Sequence, residues 1–237
     1  MKISIILPTY NEKENISDLI EILILLLERE GADFEIIVID DNSPDGTGYL
    51  VEKKYAHSSH VTCIIREKER GLASALKTGI LHSTGEIIIL MDTDFNHDPF
   101  KVTDMISLLA QYDVVSGSRY LPGGGMLSSP FRYWGSYFFN FFIRLTTGLA
   151  TTDNLSGFVA FRRDILSNLD LDEIFFGYGD YYIRFLCHLS KLNLNLVEIP
   201  VIYKMRCGGS SKTNLVSCLI KYILAVTTIK IKRQYKP

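Results

Sequence analysis

Residues 86–99 read EIIILMDTDFNHDP, an unbroken β-branched run that stops at a cluster of acids, an amide and an imidazole. A continuous apolar run of this length suits a strand buried on both faces, as in a parallel sheet covered by helices on each side. Four more runs share the pattern: ISIILP (3–8), EIIVID (35–40), VTCII (61–65) and DVVS (113–116). Helical patterns lie between them. Ile16, Leu19, Ile20, Leu23 and Leu27 recur at helical spacing, with Asn11-x-x-Glu14 as a capping-box-like start and Gly31 as a stop. Further helices are predicted from Leu72 to about His82 and from Phe100 to about Gln111. The first 118 residues therefore read as repeated β-α units. This is the α/β class, with a Rossmann-like, open, mostly parallel doubly wound sheet flanked by helices.

From residue 119 the alternation stops. A flexible loop is predicted over 120–130 (YLPGGGMLSSP), an aromatic helix over 131–149, strands over 156–161 and 194–203, and a loop at 208–212 (GGSSK) before a last, basic helix. No linker separates two cores, so residues 1–237 are expected to form one domain whose second half caps the first.

The chain has 237 residues, 25 Lys+Arg against 27 Asp+Glu, and 47% hydrophobic residues, a composition that excludes a disordered polypeptide. The net charge of -2 is an average. Residues 201–237 carry eight Lys/Arg and no acid, which leaves 17 basic and 27 acidic residues in 1–200. The stretch from Arg119 to Thr152 is also free of acids and rich in Tyr and Phe. Polybasic and apolar together point to a nucleic acid or to an anionic membrane face. Neither Tyr133–Ile143 nor Leu215–Ile229 is long and apolar enough to span a bilayer, so a surface-lying helix or ordinary core helices are the open readings. Cys63, Cys187, Cys207 and Cys218 have no zinc-ligand spacing and read as reduced core thiols, and the N-terminus lacks a signal-peptide pattern. A cytoplasmic location is expected.

In a doubly wound sheet, ligands bind beyond the carboxyl ends of the strands. PTYNE (8–12) follows the first strand and DDNSPDGT (40–47) the second. Asp40-Asp41 suits either a cap and turn or hydrogen bonds to a base or ribose. Asp92-Thr93-Asp94 follows the fourth strand. With 15 Asp in the chain, chance gives roughly one Asp-x-Asp pair. Asp170-x-Asp172, with no strand before it, is read as that chance pair. Asp92, Asp94 and Asn96 offer hard oxygen ligands for Mg²⁺ or Mn²⁺. Gly71, Leu72, Ala75 and Gly79 leave a helix face open to close approach, by the sheet or by a ligand. No G-x-G-x-x-G, P-loop or G-x-S-x-G is present.

Taken together, PTYNE, IDDNSPDGT, GLASA, MDTDFNHDP, VSGSRY and SGFVAFRR resemble the dolichyl- or polyprenyl-phosphate mannose synthases of glycosyltransferase family 2, which have the GT-A fold. The match runs in order from residue 2 to about 165, with a weaker echo to 212. The resemblance implies that residues 1–118 bind a nucleotide sugar, GDP-mannose, and that 119–237 face the acceptor, a polyprenyl phosphate. It implies that Pro8, Tyr10, Glu12, Ile39 and Asp41 hold base and ribose. Asp92, Thr93 and Asp94 would meet diphosphate and sugar, with Asp94 and Asn96 on the metal. Asn96 stands where these enzymes commonly carry Gln. Arg119, Arg132 and Ser136 match positions on the acceptor phosphate, and Arg206 and Lys212 match residues closing over the donor phosphates. Asp92, Asp94 and Arg119 would be the catalytic groups. Such an enzyme inverts the anomeric centre in one displacement and works on the cytosolic membrane face. It takes no nucleic acid, and would reach its lipid through its own surface helix or a membrane partner.

One stretch departs from the family. GYGDYYIR (177–184) stands where the synthases usually carry a Gly-aromatic start followed by an apolar helix with a Glu; Ile183 sits near that Glu, and Asp180 is new. Asp180 as a base for a sugar hydroxyl would define instead a soluble family 2 enzyme of polysaccharide or glycoconjugate synthesis, or one with a UDP-sugar donor. Asp180 as a helix cap is the other reading.

Overall fold

A computed structural model describes residues 1–127 and 130–204, together with Tyr222, Ile223 and Val226. Arg206, Lys212, Cys207, Cys218, the 208–212 loop and the basic C-terminal segment lie outside the described residues. In chain order the elements are β1 (Lys2–Thr9), α1 (Ile16–Arg29), β2 (Asp33–Asp40), α2 (Thr47–Lys54), β3 (Val61–Ile65), α3 (Leu72–His82), β4 (Ile87–Leu90), α4 (Lys101–Leu108) and β5 (Val114–Ser118). There follow β6 (Gly125–Met126), α5 (Pro130–Thr147), β7 (Val159–Arg162), α6 (Leu171–Ile174), α7 (Tyr181–Leu189), β8 (Leu196–Pro200) and β9 (Ile202–Tyr203).

Seven strands form one sheet in the order β3-β2-β1-β4-β7-β5-β8. Successive side chains of a strand point to opposite faces, and here both faces are apolar. Ile5, Leu7, Ile36, Val38, Ile87 and Ile89 pack with α1 and α4 on one side. Ile6, Ile37, Ile39, Ile88 and Leu90 pack with α3 and α7 on the other. The buried residues of α1 are the five at helical spacing, Ile16, Leu19, Ile20, Leu23 and Leu27.

Three details differ from the sequence reading. The expected capping box does not form: Asn11 has a left-handed φ of 56°, and Asn15 is the N-cap with no side-chain cap bond. Glu12 instead offers its carbonyl to the N–H groups of Asn15 and Ile16. The second half is also more than a cap, because β7 enters the central sheet antiparallel between β4 and β5, and β8 extends it parallel to β5. Val159 and Phe161 face one apolar layer and Phe158 and Ala160 the other, so this segment fits a site buried on both sides. Finally, the loop expected over 120–130 contains β6, which pairs with β9. Asp170 accepts from the N–H groups of Asp172 and Glu173 and so caps α6, which accounts for the chance Asp-x-Asp pair.

Candidate active site

The chain runs from β1 outward to β2 and β3, then returns across β1 to β4. The carboxyl ends of β1, β2 and β4 thus border a crevice at the switch point, where such sheets bind ligands. The three non-glycine residues with left-handed backbone among the described residues are Asn11, Asn42 and Phe95, one in each loop after these strands. Such a conformation costs about 1–3 kcal/mol for a bulky residue, and its clustering marks a site whose surroundings hold it in place.

Two adjoining cavities occupy this edge. The first, about 420 Å³, is lined by Pro8, Thr9, Tyr10, Glu12, Asp41, Arg70, Gly71, Leu72, Ala75, Asp92, Thr93, Asp94 and Tyr178. Seven sequence-derived donor residues therefore meet in one place. Ile39 does not join them: it is fully buried beneath α3, because its position in β2 points into the core while Asp41 lies beyond the strand end. The second cavity, about 370 Å³, shares Asp92 and Asp94 with the first and adds Asn96, Arg119, Arg132, Lys204, Tyr181, Tyr182 and Tyr203. Ser136 does not line it. Its backbone carbonyl accepts from Asn140 Nδ2, and its hydroxyl interacts with Tyr120.

Asp40 and Asp41 take different positions. Asp40 accepts from Thr9 Oγ1, Ser43 N–H and Ser43 Oγ and so ties the loop together. Asp41 pairs with Arg66 and accepts the Gly71 N–H at 2.7 Å, on the cavity wall. Gly71 has φ 134°, a region that favours glycine. The small-residue face of α3 also serves twice. A Cβ at Gly79 would overlap Ile6 Cγ2, so that end packs on the sheet, while Gly71, Leu72 and Ala75 line the cavity.

Asp94 is nearly buried and accepts from Asn96 N–H at 3.1 Å and Asn96 Nδ2 at 2.8 Å. The Asn96 amide thus turns its donor to the carboxylate, leaving Oδ1 as the atom available to a cation. No group of three or more His, Cys, Asp or Glu converges on a metal position among the described residues. This donor set fits Mg²⁺ or Mn²⁺, which bind through one or two carboxylates and take their remaining oxygens from water and substrate phosphate.

Arg119 is 5% exposed and forks onto Asp153 through Nε (2.7 Å) and Nη2 (2.8 Å), while its guanidinium lies 4.6 Å from the Tyr203 ring centroid. Burial alone would lower its pKa, but the Asp153 carboxylate outweighs burial and raises it, so the charge is fixed. Burial pushes the Tyr203 phenol well above its ordinary value, which keeps its O–H as a donor. Asp180 lines neither cavity. It is 7% exposed, pairs with Arg184 one turn along α7, accepts the Tyr178 N–H at 2.9 Å and makes no side-chain cap bond.

Sequence reasoning missed Arg66, Arg70, His97, Asp153 and Tyr203. Arg70 covers the Tyr10 ring at 5.6 Å, and His97 is wholly buried beneath the acidic loop. His97 had a legible signal: an imidazole in the loop after a buried strand, five residues past Asp92.

The sheet order and the two adjoining cavities at its carboxyl edge define an α/β protein with a crevice where doubly wound sheets bind ligands. The family model "Glycosyl transferase family 2" matches residues 4–170, and the chain belongs to that family. It is 33% identical over 219 residues to a dolichol-phosphate mannosyltransferase of Pyrococcus furiosus, covering 90% of this chain but 59% of that protein. It is 31% identical over 217 residues to an undecaprenyl-phosphate mannosyltransferase of Micrococcus luteus, covering 90% of this chain and 87% of that one. Among solved structures, glucosyl-3-phosphoglycerate synthase of Mycobacterium tuberculosis with Mn²⁺, UDP and glucosyl-3-phosphoglycerate superposes with a TM-score of 0.71 at 20% identity, over 96% of this chain and 79% of that one. The same synthase with Mg²⁺ and UDP gives 0.69. The fold is GT-A.

Proposed function

We propose that this chain transfers mannose from GDP-mannose to a polyprenyl phosphate on the cytosolic face of a membrane, with Mg²⁺ or Mn²⁺ as cofactor. One observation carries the reading: the two cavities meet at Asp92 and Asp94, one walled by strand-end groups suited to a nucleotide, the other by Arg119, Arg132 and Lys204. A donor and an anionic acceptor seated in them would meet over those two acids. The names of the Pyrococcus and Micrococcus relatives support the mannose and the lipid phosphate.

Pro8, Tyr10, Glu12 and Asp41 hold the base and ribose in this reading, and Asp92, Thr93 and Asp94 approach the diphosphate and sugar. Asp94 and Asn96 hold the metal, which when bound supplies Lewis-acid stabilisation of the departing diphosphate. Arg206 and Lys212 are assigned to the donor phosphates from the sequence alone. An acceptor phosphate oxygen attacks the anomeric carbon, the bond to the donor diphosphate breaks, and the nucleoside diphosphate leaves with the electron pair, inverting the centre. The acceptor is already an anion at neutral pH and requires no general base. Arg119 and Arg132 hold it and stabilise its charge.

The exposed side of α5 supports the membrane location. Phe131, Trp134, Phe138, Phe141 and Leu145 are exposed on a helix that carries Arg132 and Arg144 and no acid. The reading is of peripheral contact through this face; among the described residues no helix is long and apolar enough to cross a membrane.

The test supplies the purified chain with Mn²⁺, polyprenyl phosphate in vesicles and radiolabelled GDP-mannose, UDP-glucose or UDP-GlcNAc in parallel. Label is expected in the lipid phase from GDP-mannose, metal-dependent and lost in Asp94→Ala. Absence of lipid-phase label from every donor would sink the proposal, and label from a UDP-sugar alone would replace the donor.

A further inference from the structure

The loop carrying the two central acids is closed by a buried imidazole. Asp92 donates its backbone N–H to His97 Nδ1 at 2.9 Å, so Nδ1 is the acceptor and the ring proton resides on Nε2. Nε2 faces the Tyr203 hydroxyl at 2.8 Å and the Ser156 carbonyl at 3.1 Å, and the Tyr203 O–H donates to that carbonyl at 2.8 Å. The imidazole is wholly buried and stacks on Phe158, with centroids 4.8 Å apart and planes 10° from parallel. The other end of this connection is Arg119, whose guanidinium lies against the Tyr203 ring. A continuous packed path therefore runs from Asp92 through His97 and Tyr203 to Arg119. The loop needs such a brace, because Phe95 between Asp92 and His97 holds a left-handed φ of 62°.

We propose that His97 is a positioning residue for the transfer reaction: through Nδ1 it fixes Asp92, and through Nε2 and Tyr203 it ties that acid to the ledge carrying Arg119. Donor-side and acceptor-side groups then keep a fixed separation. Substrate affinity depends on the many other groups lining both cavities, whereas alignment across the two depends on this brace. Its loss therefore falls on kcat rather than on KM, since small misplacements act on the transition state.

The two ring nitrogens can be separated. In His97→Asn the amide oxygen takes the place of Nδ1 and the Asp92 bond survives; in His97→Gln the side-chain amide takes the place of Nε2 and that bond is lost. His97→Gln is expected to lower kcat by on the order of tenfold or more, the effect of one lost buried hydrogen bond, with both KM values within about threefold. His97→Asn keeps the Asp92 bond but loses the Nε2 link to Tyr203, so it should lower kcat to the level of Tyr203→Phe, again with both KM values within about threefold. Hydrogen exchange at the Asp92 amide should be accelerated in the Gln variant and not in the Asn variant. Unchanged kcat in either variant, KM values that rise as kcat falls, or equal exchange at the Asp92 amide in the two variants overturns the proposal.

If His97→Gln does not fold, Tyr203→Phe, which keeps the ring against Arg119, gives the alternative reading. Lower kcat at unchanged KM supports the brace, and unchanged kcat refutes it. The inference rests on the transfer reaction proposed above. Were wild type to show no turnover, that function would fail by itself, while the exchange comparison would still decide whether His97 holds Asp92.

Discussion

Arg119 and Asp153 form a fork-to-fork ion pair, with Nε to Oδ2 at 2.7 Å and Nη2 to Oδ1 at 2.8 Å, and the Asp153 side chain is fully buried. The pair is anchored in turn. Asp153 also accepts the Arg119 backbone N–H, and Glu198 on β8 accepts the N–H groups of Thr152 and Asp153. Asp153 thus holds the cation at the edge of the second cavity. Asp153→Ala leaves a buried guanidinium without its counter-charge, a change that costs about 3–5 kcal/mol. Chemical denaturation should show a loss of that size, and a loss below ~1 kcal/mol would mean that water reaches the guanidinium and the pair is not sealed.

Asp180 was the residue that pointed toward a sugar-hydroxyl acceptor, and its surroundings argue for another task. Its carboxylate pairs with Arg184, which also donates to the carbonyls of Ile174 and Phe176 and stacks on the Phe176 ring. Together they hold the 174–180 turn, whose Tyr178 reaches both cavities. Asp180→Asn is expected to lower stability by ~1–3 kcal/mol and leave kcat within about threefold. Abolished turnover in a variant with an unchanged melting curve would restore Asp180 as the base.

What could be read in the sequence was whatever depends on local pattern. The five β-branched runs became β1 to β5, the Ile16–Leu27 repeat became the buried stripe of α1, and Asp92 and Asp94 stand at a strand end because the run before them is continuous. Pairings set by tertiary register were not legible. Nothing near Arg119 in sequence names Asp153 as its partner, nor Asp41 as that of Arg66, since Asp153 comes from the segment between α5 and β7 and Asp41 and Arg66 from the ends of different strands. The antiparallel insertion of β7 is hidden for the same reason: its apolar alternation fits either orientation, and only its neighbours β4 and β5 decide. Ile39 shows the converse limit: matching a motif says nothing of strand parity, which here directs its side chain to the core.

Away from the site, Glu35 accepts hydrogen bonds from Ser4 Oγ, from the N–H and hydroxyl of Thr84, and from Lys2 Nζ through its other oxygen. Partial burial alone would raise its pKa, and these bonds outweigh it and lower the value to about 2. Because the folded value is below the unfolded one, the stabilisation is present above about pH 4.5 and is lost as pH falls toward about 2. Wild type should lose stability across that window more steeply than Glu35→Gln, which does not titrate there. Parallel curves for the two proteins, from urea melts at stepped pH, would remove Glu35 from the acid response.

The aromatic side of α5 offers the remaining prediction. Asn140, Ile143 and Thr147 are its buried residues, and Asn140 fastens the helix to the neighbours of Arg119 and Leu155 by accepting the Asn154 N–H and donating toward the Tyr120 hydroxyl. The opposite side leaves Phe131 85% and Phe138 63% exposed. Exposed apolar residues grouped on one acid-free helix face mark a contact surface. A bilayer burying such a phenylalanine gains roughly 1.5–3 kcal/mol, and each nearby cation adds about 1 kcal/mol on an anionic leaflet. Phe131→Ser combined with Phe138→Ser should therefore weaken co-sedimentation with anionic vesicles by at least about tenfold. Thermal stabilisation by GDP-mannose with Mn²⁺ should be unchanged, since neither residue lines a cavity. Arg144→Ala should weaken binding to anionic vesicles and not to neutral ones. Undiminished vesicle binding by the double variant would show that α5 is not the surface that meets the lipid.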